Sequence, residues 1–340
     1  MLVADFDYNL PEELIAQRPL EQRDGSRMLV LERETGRVTD AMFRDIGSRL
    51  RPGDLLVLND TRVIPARLHA RLPTGGKVEF LLLRMKSEGV WTALARPGKK
   101  VRPGTRLVFG DYRAEVLERE PDGLRVLRFE PADVTALLAG QGELALPAYI
   151  HEKCENPERY QTVFGHRAGA VAAPPAGLHF TPELLAELAS MGVEQAAVTL
   201  HVGLGTFRPV KAEALEDHVM HSEEFELGED AAGRVNDALA AKRRVVCVGT
   251  TTVRVLESCA EQTAAGWRVR ATRSSTALYI HPGYVWKVAG AMLTNFHVPK
   301  STLMMLVSAF AGREHVLAAY RHAIEQRYRF FSFGDCMLIV

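Results

Sequence analysis

"RVVCVGTTTVRVLES", residues 244–258, decides the fold. Val245 to Val248 form an unbroken apolar run, the pattern of a strand buried on both faces. Gly249 ends that run, and "TTTVRVLESCAEQTAAG" (250–266) then reads as a helix opening on hydroxyls. The same alternation recurs on both sides. "TPELLAELASMG" (181–192) is a helix with a Thr cap, Pro in its first turn and Gly after its end, and "VEQAAVTLHVG" (193–203) is a strand. "DAAGRVNDALAAKR" (230–243) is a helix. "TALYIHP" (276–282) is a strand, and "STLMMLVSAFAGREHVLAAYRHAIEQ" (301–326) holds one or two helices before the apolar strand "CMLIV" (336–340). Nearer the N-terminus, "DAMFRDIGSRLRPG" (40–53) reads as an amphipathic helix and "DLLVLND" (54–60) as a buried strand. Alternation of this kind predicts an α/β fold, a mixed sheet with flanking helices.

The texture changes between residues 62 and 130. Short β-rich runs follow one another there: "RVIPARLHARL", "KVEFLLLR", "GVWTALAR", "TRLVFGDYRAEVLE" and "GLRVLRFE". They are separated by "PTGG", "KSEG", "RPGKKVRPG" and "REPDG". Strands at this spacing predict a small, closed or nearly closed β-barrel domain inserted into the sheet domain. The expected division is 1–59 for the first part of the α/β domain, 60–149 for the barrel and 150–340 for the second part.

At 340 residues the chain has room for both. Lys+Arg and Asp+Glu are 42 each, so no overall field attracts nucleic acid and any RNA binding needs a local patch. Cys154, Cys247, Cys259 and Cys336 are scattered without metal-site spacing, as expected of reduced thiols. "MLVADFDYNLPEELIAQ" lacks the apolar core of a signal peptide, and "LMMLVSAFAG" is too short to cross a bilayer. A cytoplasmic protein without membrane attachment is expected.

Polar residues gather where the strands end. "VLNDTR" supplies Asn59, Asp60, Thr61 and Arg62, and "VTLHVGLGTF" supplies His201 and Thr206. "CVGTTTVR" supplies Thr250, Thr251, Thr252 and Arg254, and "LTNFHVPKST" supplies Asn295, His297, Lys300 and Ser301. Open α/β sheets bind ligands beyond the carboxyl ends of their strands, so these clusters are expected to share one crevice. The "GTTTVR" turn suits an anion, through free amides and the helix dipole, although from this segment alone a simple Thr cap is the preferred reading. "KST" resembles the tail of a P-loop, but the upstream glycines are missing, which excludes that nucleotide site. His179, His201 and His297 each sit between apolar neighbours and are candidates for proton transfer. Core histidines satisfied by hydrogen bonds are the other reading. "VMHSEEFEL" adds His221, Glu223 and Glu224, as further candidates or as an edge strand. "GAVAAPPAGLHFTP" is either a backbone surface for a ligand or a tight loop. Arg96, Lys99, Lys100, Arg102 and Arg106 run without an intervening acid, and on spacing alone a solvated barrel edge is preferred to phosphate contact.

Taken together, "DFDYNLPEELIAQRP", "NDTRVIPARL", "RYQTVF", "GAVAAPPAGLHFT", "VTLHVGLGTFRPV", "VGTTTVRVLES" and "LTNFHVPKSTLMMLVSAFAG" make the chain resemble, nearly end to end, the S-adenosylmethionine:tRNA ribosyltransferase-isomerase family of queuosine biosynthesis. Pro175, Ala148 and His281 depart from the family's usual Thr, Pro and Tyr. The resemblance implies an α/β domain with an inserted barrel and no metal. It also implies transfer of the ribosyl group of S-adenosylmethionine to 7-aminomethyl-7-deazaguanine at the tRNA wobble position. Isomerisation then yields epoxyqueuosine-tRNA, with release of adenine and methionine. S-adenosylmethionine is expected as co-substrate, with no tightly bound cofactor, tRNA as partner and a monomer as the working form.

That chemistry needs a base for the protons beside the sulfonium and an acid for departing adenine. His201 and His297 are assigned to protons, Asp60 or Glu223 to the base, and His179 is held in reserve. Asn59, Arg62, Thr206, Thr250, Thr251, Thr252, Arg254, Asn295, Lys300 and Ser301 are expected to bind substrate, and Arg67, Arg96, Lys99, Lys100 and Arg102 to hold the anticodon loop. A non-catalytic RNA-binding protein and an S-adenosylmethionine methyltransferase are the rivals. The first has no need of strand-end histidines, and the second lacks its glycine-rich turn here.

Overall fold

The computed structural model describes residues 1–203, 210 and 212–340. The chain enters a sheet with β1 (Arg27–Leu31), turns back as β2 (Val38–Met42) and returns as β3 (Leu55–Asn59). In β3 the apolar residues alternate between two cores. Leu55 and Val57 join the larger one, while Leu56 and Leu58 face the other. A strand covered on both faces has no polar side, which is why "LLVL" is continuous.

β4 (Thr61–Val63) leaves the sheet, and six strands follow: β5 (Arg67–Arg71), β6 (Lys77–Ser87), β7 (Val90–Arg96), β8 (Arg106–Phe109), β9 (Tyr112–Arg119) and β10 (Arg125–Glu130). They close as an antiparallel barrel in the order β10-β7-β6-β5-β8-β9. Closure leaves no open edge, and a barrel this narrow is filled by its own side chains. Phe109 lies at its centre, 5.6 Å from Phe80 and 5.4 Å from Phe129 between ring centroids. α1 (Thr135–Gln141) adds Leu137 and Leu138 to that interior.

Beyond the barrel, β11 (Arg167–Ala170) pairs in parallel with β4. α2 (Pro182–Ser190) begins at Thr181, whose hydroxyl accepts from the Leu184 amide at 3.1 Å, and β12 (Glu194–Leu200) follows. Next come β13 (Glu223–Leu227), α3 (Glu229–Ala240), β14 (Val245–Val248) and α4 (Thr250–Cys259). The hairpin of β15 (Ala260–Thr263) and β16 (Gly266–Val269) leads to β17 (Thr272–Thr276) and β18 (Ala291–Asn295). α5 (Thr302–Ala311), α6 (Arg313–Glu325) and β19 (Cys336–Ile339) complete the layer. The nine-stranded sheet runs β17-β13-β12-β3-β14-β18-β19-β1-β2. β12, β3, β14 and β18 are mutually parallel neighbours, whereas β13, β17 and β2 run antiparallel to their neighbours. The mixed sheet and the inserted barrel are therefore those expected.

Three local readings are corrected. Residues 40–53 form the end of β2 and a 3-10 helix (Phe43–Arg49), not one α-helix, because Asp40, Ala41 and Met42 pair with β1. Phe43 and Ile46, three apart, supply its buried side, which a three-residue turn aligns. The helix after Gly249 stops at Cys259. The Thr263 hydroxyl accepts from the Ala265 amide and donates to the Gly266 carbonyl at 2.8 Å, closing the β15–β16 turn. The strand expected at 276–282 lies earlier, in "TRSST", which is polar because β17 forms the sheet edge.

Candidate functional site

Because β12, β3, β14 and β18 are parallel, their carboxyl ends share one edge of the sheet, as open α/β sheets require of a ligand crevice. A cavity of about 570 Å³ opens at that edge, within the range of small-molecule sites. Tyr149, Tyr160, Phe296 and Phe331 furnish aromatic wall, and the Pro174–Pro175 loop lies along it. Tyr149 and Phe331 pack 4.7 Å apart, and the Tyr149 hydroxyl bonds Ser332 at 2.7 Å.

Two helices begin at this cavity. Gly249, at φ 88°, makes the left-handed turn that starts α4, and Thr250 and Thr251 line the cavity beyond it. First-turn amides have no intrahelical acceptor, so this end is polarised to meet an anion. Thr252 is spent otherwise: its buried hydroxyl donates to the Val248 carbonyl at 2.8 Å. At α5, Ser301 is the cap, accepting from Met304 N at 3.2 Å and donating to the Val298 carbonyl at 2.6 Å. Lys300 lines the cavity too, but its ammonium lies 2.8 Å from Asp7. Lys300 (φ 57°) and Phe331 (φ 70°) are non-glycine residues in the left-handed region. Each such residue costs on the order of 1–3 kcal/mol and persists only where its surroundings enforce it. Both are at the cavity wall.

Glu223 and Arg254 reach the cavity as a buried ion pair. The other Glu223 oxygen accepts from the Gly203 amide at 2.9 Å, and Arg254 also donates to the carbonyls of Leu278 and Thr276, both at 3.2 Å. The guanidinium is thereby neutralised, and each of its three nitrogens donates to one acceptor. It shapes the wall rather than offering a spare charge.

The three histidines separate. His297 lines the cavity, with Nε2 2.7 Å from the Thr294 hydroxyl, and burial pushes its pKa down to about 3. His179 lies behind the wall, between the Ser26 hydroxyl at 3.0 Å and Asn295 Oδ1 at 3.4 Å. Burial lowers it to about 4 against the raising effect of the Asn295 bond. Asn295 itself lines the cavity and donates to the Phe331 carbonyl at 2.9 Å, so His179 orients a wall residue without reaching the cavity. His201 points away, Nδ1 2.8 Å from the Thr61 hydroxyl, although its neighbour Val202 lines the wall. Its pKa is lowered by burial, which Glu224 and Asp60 oppose.

Asp60 belongs to that second cluster. It accepts from the Thr199 hydroxyl at 2.6 Å and faces Arg167 at 3.6 Å, which in turn meets Glu226 at 2.8 Å. Asn59 bridges the two regions through its amide, 3.1 Å from the Leu200 carbonyl and 3.2 Å from Thr251 Oγ1. Arg62 pairs with Glu158, whereas Arg67 Nε lies 4.0 Å from Glu79 without a hydrogen bond. Arg96, Lys99, Lys100, Arg102 and Arg106 are all exposed on the barrel around the β7–β8 connection. Among the described residues none of the five has an acidic partner. Thr206 lies outside the described residues. Among the described residues no three His, Cys, Asp or Glu side chains gather as a metal would require, and no helix is long and apolar enough to cross a membrane.

Sequence reasoning missed several contributors. Tyr8 donates to the His297 carbonyl at 2.5 Å from the other end of the chain, and Tyr149 and Phe331 come from segments without catalytic residue types. Glu257, 2% exposed, accepts from the Val288 and Ala289 amides at 3.0 Å and the Tyr284 hydroxyl at 3.0 Å, which fixes the 284–289 loop on α4. Nothing in its sequence context marks it.

Residues 3–339 match the family model described as "Queuosine biosynthesis protein". The chain is 51% identical over 343 residues to the S-adenosylmethionine:tRNA ribosyltransferase-isomerase of Clostridium kluyveri, with all of both chains covered. It is 49% identical to the protein of that name from Halothermothrix orenii, again over the whole of both. Among solved structures, the S-adenosylmethionine tRNA ribosyltransferase of Thermotoga maritima is 41% identical, with a TM-score of 0.57 over 99% of this chain and 100% of that one.

Proposed function

The chain belongs to the queuosine biosynthesis protein family, a family of S-adenosylmethionine-dependent tRNA ribosyltransferase-isomerases, and on that premise we propose how its cavity works. S-adenosylmethionine occupies the cavity and gives its ribosyl group to 7-aminomethyl-7-deazaguanine at the wobble position of a tRNA. Rearrangement to epoxyqueuosine-tRNA releases adenine and methionine. The observation that carries this reading is the combination, in one cavity of about 570 Å³, of aromatic walls and two helix N-termini. Aromatic surface suits the adenine ring. The α4 start at Thr250 and Thr251 suits the methionine carboxylate, with Lys300 nearby.

A sulfonium acidifies the C5′ protons next to it, so a positioned carboxylate can begin the reaction. Glu223 is the lining carboxylate among the described residues, and we assign it the base. His179 acts through Asn295 as a positioning residue. The Asp60–His201 cluster lies outside the cavity wall, and we assign it no step on the sulfonium. The anticodon loop offers its unstacked base to the cavity mouth while Arg96, Lys99, Lys100 and Arg102 meet its phosphates. The enzyme works in the cytoplasm as a monomer, without a tightly bound cofactor.

Adenine release from S-adenosylmethionine in the presence of an anticodon stem-loop bearing the aminomethyl base tests the reading. Release that needs both substrates supports it. A methylated RNA product, or RNA binding without adenine release, would replace it with one of the rivals.

A further inference from the structure

We propose that His297 serves the reaction as an uncharged hydrogen-bonding group, presenting ring nitrogen Nδ1 to the nucleoside half of the bound substrate rather than ferrying a proton. The inference rests on the reading that the cavity takes S-adenosylmethionine. It replaces the proton-transfer role expected of this residue from sequence.

The residue is held from three directions, once through its ring and twice through its backbone. Nε2 is 2.7 Å from Thr294 Oγ1, the backbone amide donates to the Tyr320 hydroxyl at 2.9 Å, and the carbonyl accepts from Tyr8 at 2.5 Å. Tyr8 and Tyr320 pack edge to face with centroids 5.0 Å apart, which closes the clamp. Nδ1 has no hydrogen-bond partner among the described residues, yet it is not one of the sealed unpaired atoms, and the residue lines the cavity. A polar atom left open toward a cavity in an otherwise satisfied side chain is the arrangement of a ligand contact. Among the described residues no charged neighbour stabilises an imidazolium here, and burial disfavours it. Neutral imidazole still offers one donor and one acceptor. With Thr294 occupying Nε2, the remaining function falls to Nδ1, and its fitting partner is an uncharged ribose hydroxyl or adenine ring nitrogen.

Asparagine and glutamine discriminate the two ring positions, since their amides reach near Nδ1 and Nε2 respectively. H297N should keep kcat/KM within about tenfold of wild type, while H297Q and H297A lose about a hundredfold or more, the usual loss for one buried donor to a reacting ligand. Equal losses in H297N and H297Q, or retention by H297Q alone, would overturn the assignment. Nitrogen-15 spectra of histidine-labelled wild-type enzyme decide the matter even if a variant misfolds. His297 should stay neutral from about pH 5 to about pH 9, an interval that brackets an ordinary histidine's midpoint of about 6.5, and its Nδ1 signal should move when S-adenosylmethionine is added. A His297 resonance that titrates in that interval, or a stationary Nδ1 while other cavity resonances move, sinks this inference alone. No cavity resonance moving during active turnover sinks the cavity reading instead.

Discussion

Arg254→Met removes the cation from a pair whose partners are each about 6% exposed. Glu223 would keep its bond from the Gly203 amide but lose its countercharge. An unpaired buried charge costs about 3–5 kcal/mol. The carbonyls of Thr276 and Leu278 also lose a donor. Combining Glu223→Gln with Arg254→Met removes both charges and leaves only those carbonyls short, at about 1 kcal/mol each. The double variant should therefore be more stable than the single one and about 2 kcal/mol below wild type. Urea unfolding measures this. Trp91 is in the barrel and Trp267 and Trp286 are in the α/β layer, so a Trp91→Phe background makes fluorescence report the layer alone. Among the described residues the Trp91 indole nitrogen has no hydrogen-bond partner, so replacing it with Phe breaks no bond there. A double variant no more stable than Arg254→Met would refute the reasoning, because the cost would then lie in lost packing rather than stranded charge.

Acid should destabilise the protein through its buried histidines. In the unfolded chain they take up protons near pH 6.5, but in the fold only near about 4 for His179 and about 3 for His297. Stability is thus whole above pH 6.5 and declines as pH falls toward those values, by about 2 kcal/mol per histidine between pH 7 and pH 5. A His179→Gln variant should show roughly half the decline in urea midpoint, and an unchanged decline would count against it. Changing Lys99, Lys100 and Arg102 together to Gln should weaken tRNA binding and flatten its salt dependence by about two to three counterions. The KM for S-adenosylmethionine should not change, and identical salt slopes in a filter-binding titration would remove the patch from the RNA surface. Gly169→Ala puts a methyl group 2.8 Å from the His201 ring at φ 154°, so it should cost about 1–3 kcal/mol and displace that ring. A variant melting at the wild-type temperature would show that the loop yields freely.

The large-scale fold was legible because its signals are strong. Continuous apolar strands such as Leu55–Leu58 and Val245–Val248, each followed by caps or glycine, leave few alternatives to a parallel core. Short alternating strands broken by Pro-Gly turns marked the barrel equally well. Edges were harder to read. β17 is polar on the sheet margin, and β2 hid inside a helix-like pattern because its partners lie in another segment. Around the cavity, residue type identified Glu223, Thr250, Thr251, Asn295 and His297 as wall residues. It could not say that Arg254 is occupied, that Ser301 caps a helix, or that His201 and Asp60 turn to the far side. Those facts depend on side-chain direction and on partners such as Thr61, Thr199 and Tyr8, which only tertiary structure brings together.

The place of β19 in the sheet bears on how the chain is made. Met28 of β1 pairs with Cys336 of β19, about three hundred residues later, and β19 also supplies the other flank of β18. During synthesis the ribbon of β1 and β2 has no seat in the sheet until nearly everything else has left the ribosome. Its inner rim, "RMLVL", is meanwhile an uncovered adhesive border. Clipping Cys336–Ile339 would therefore cut the β1–β2 ribbon loose from the rest of the sheet.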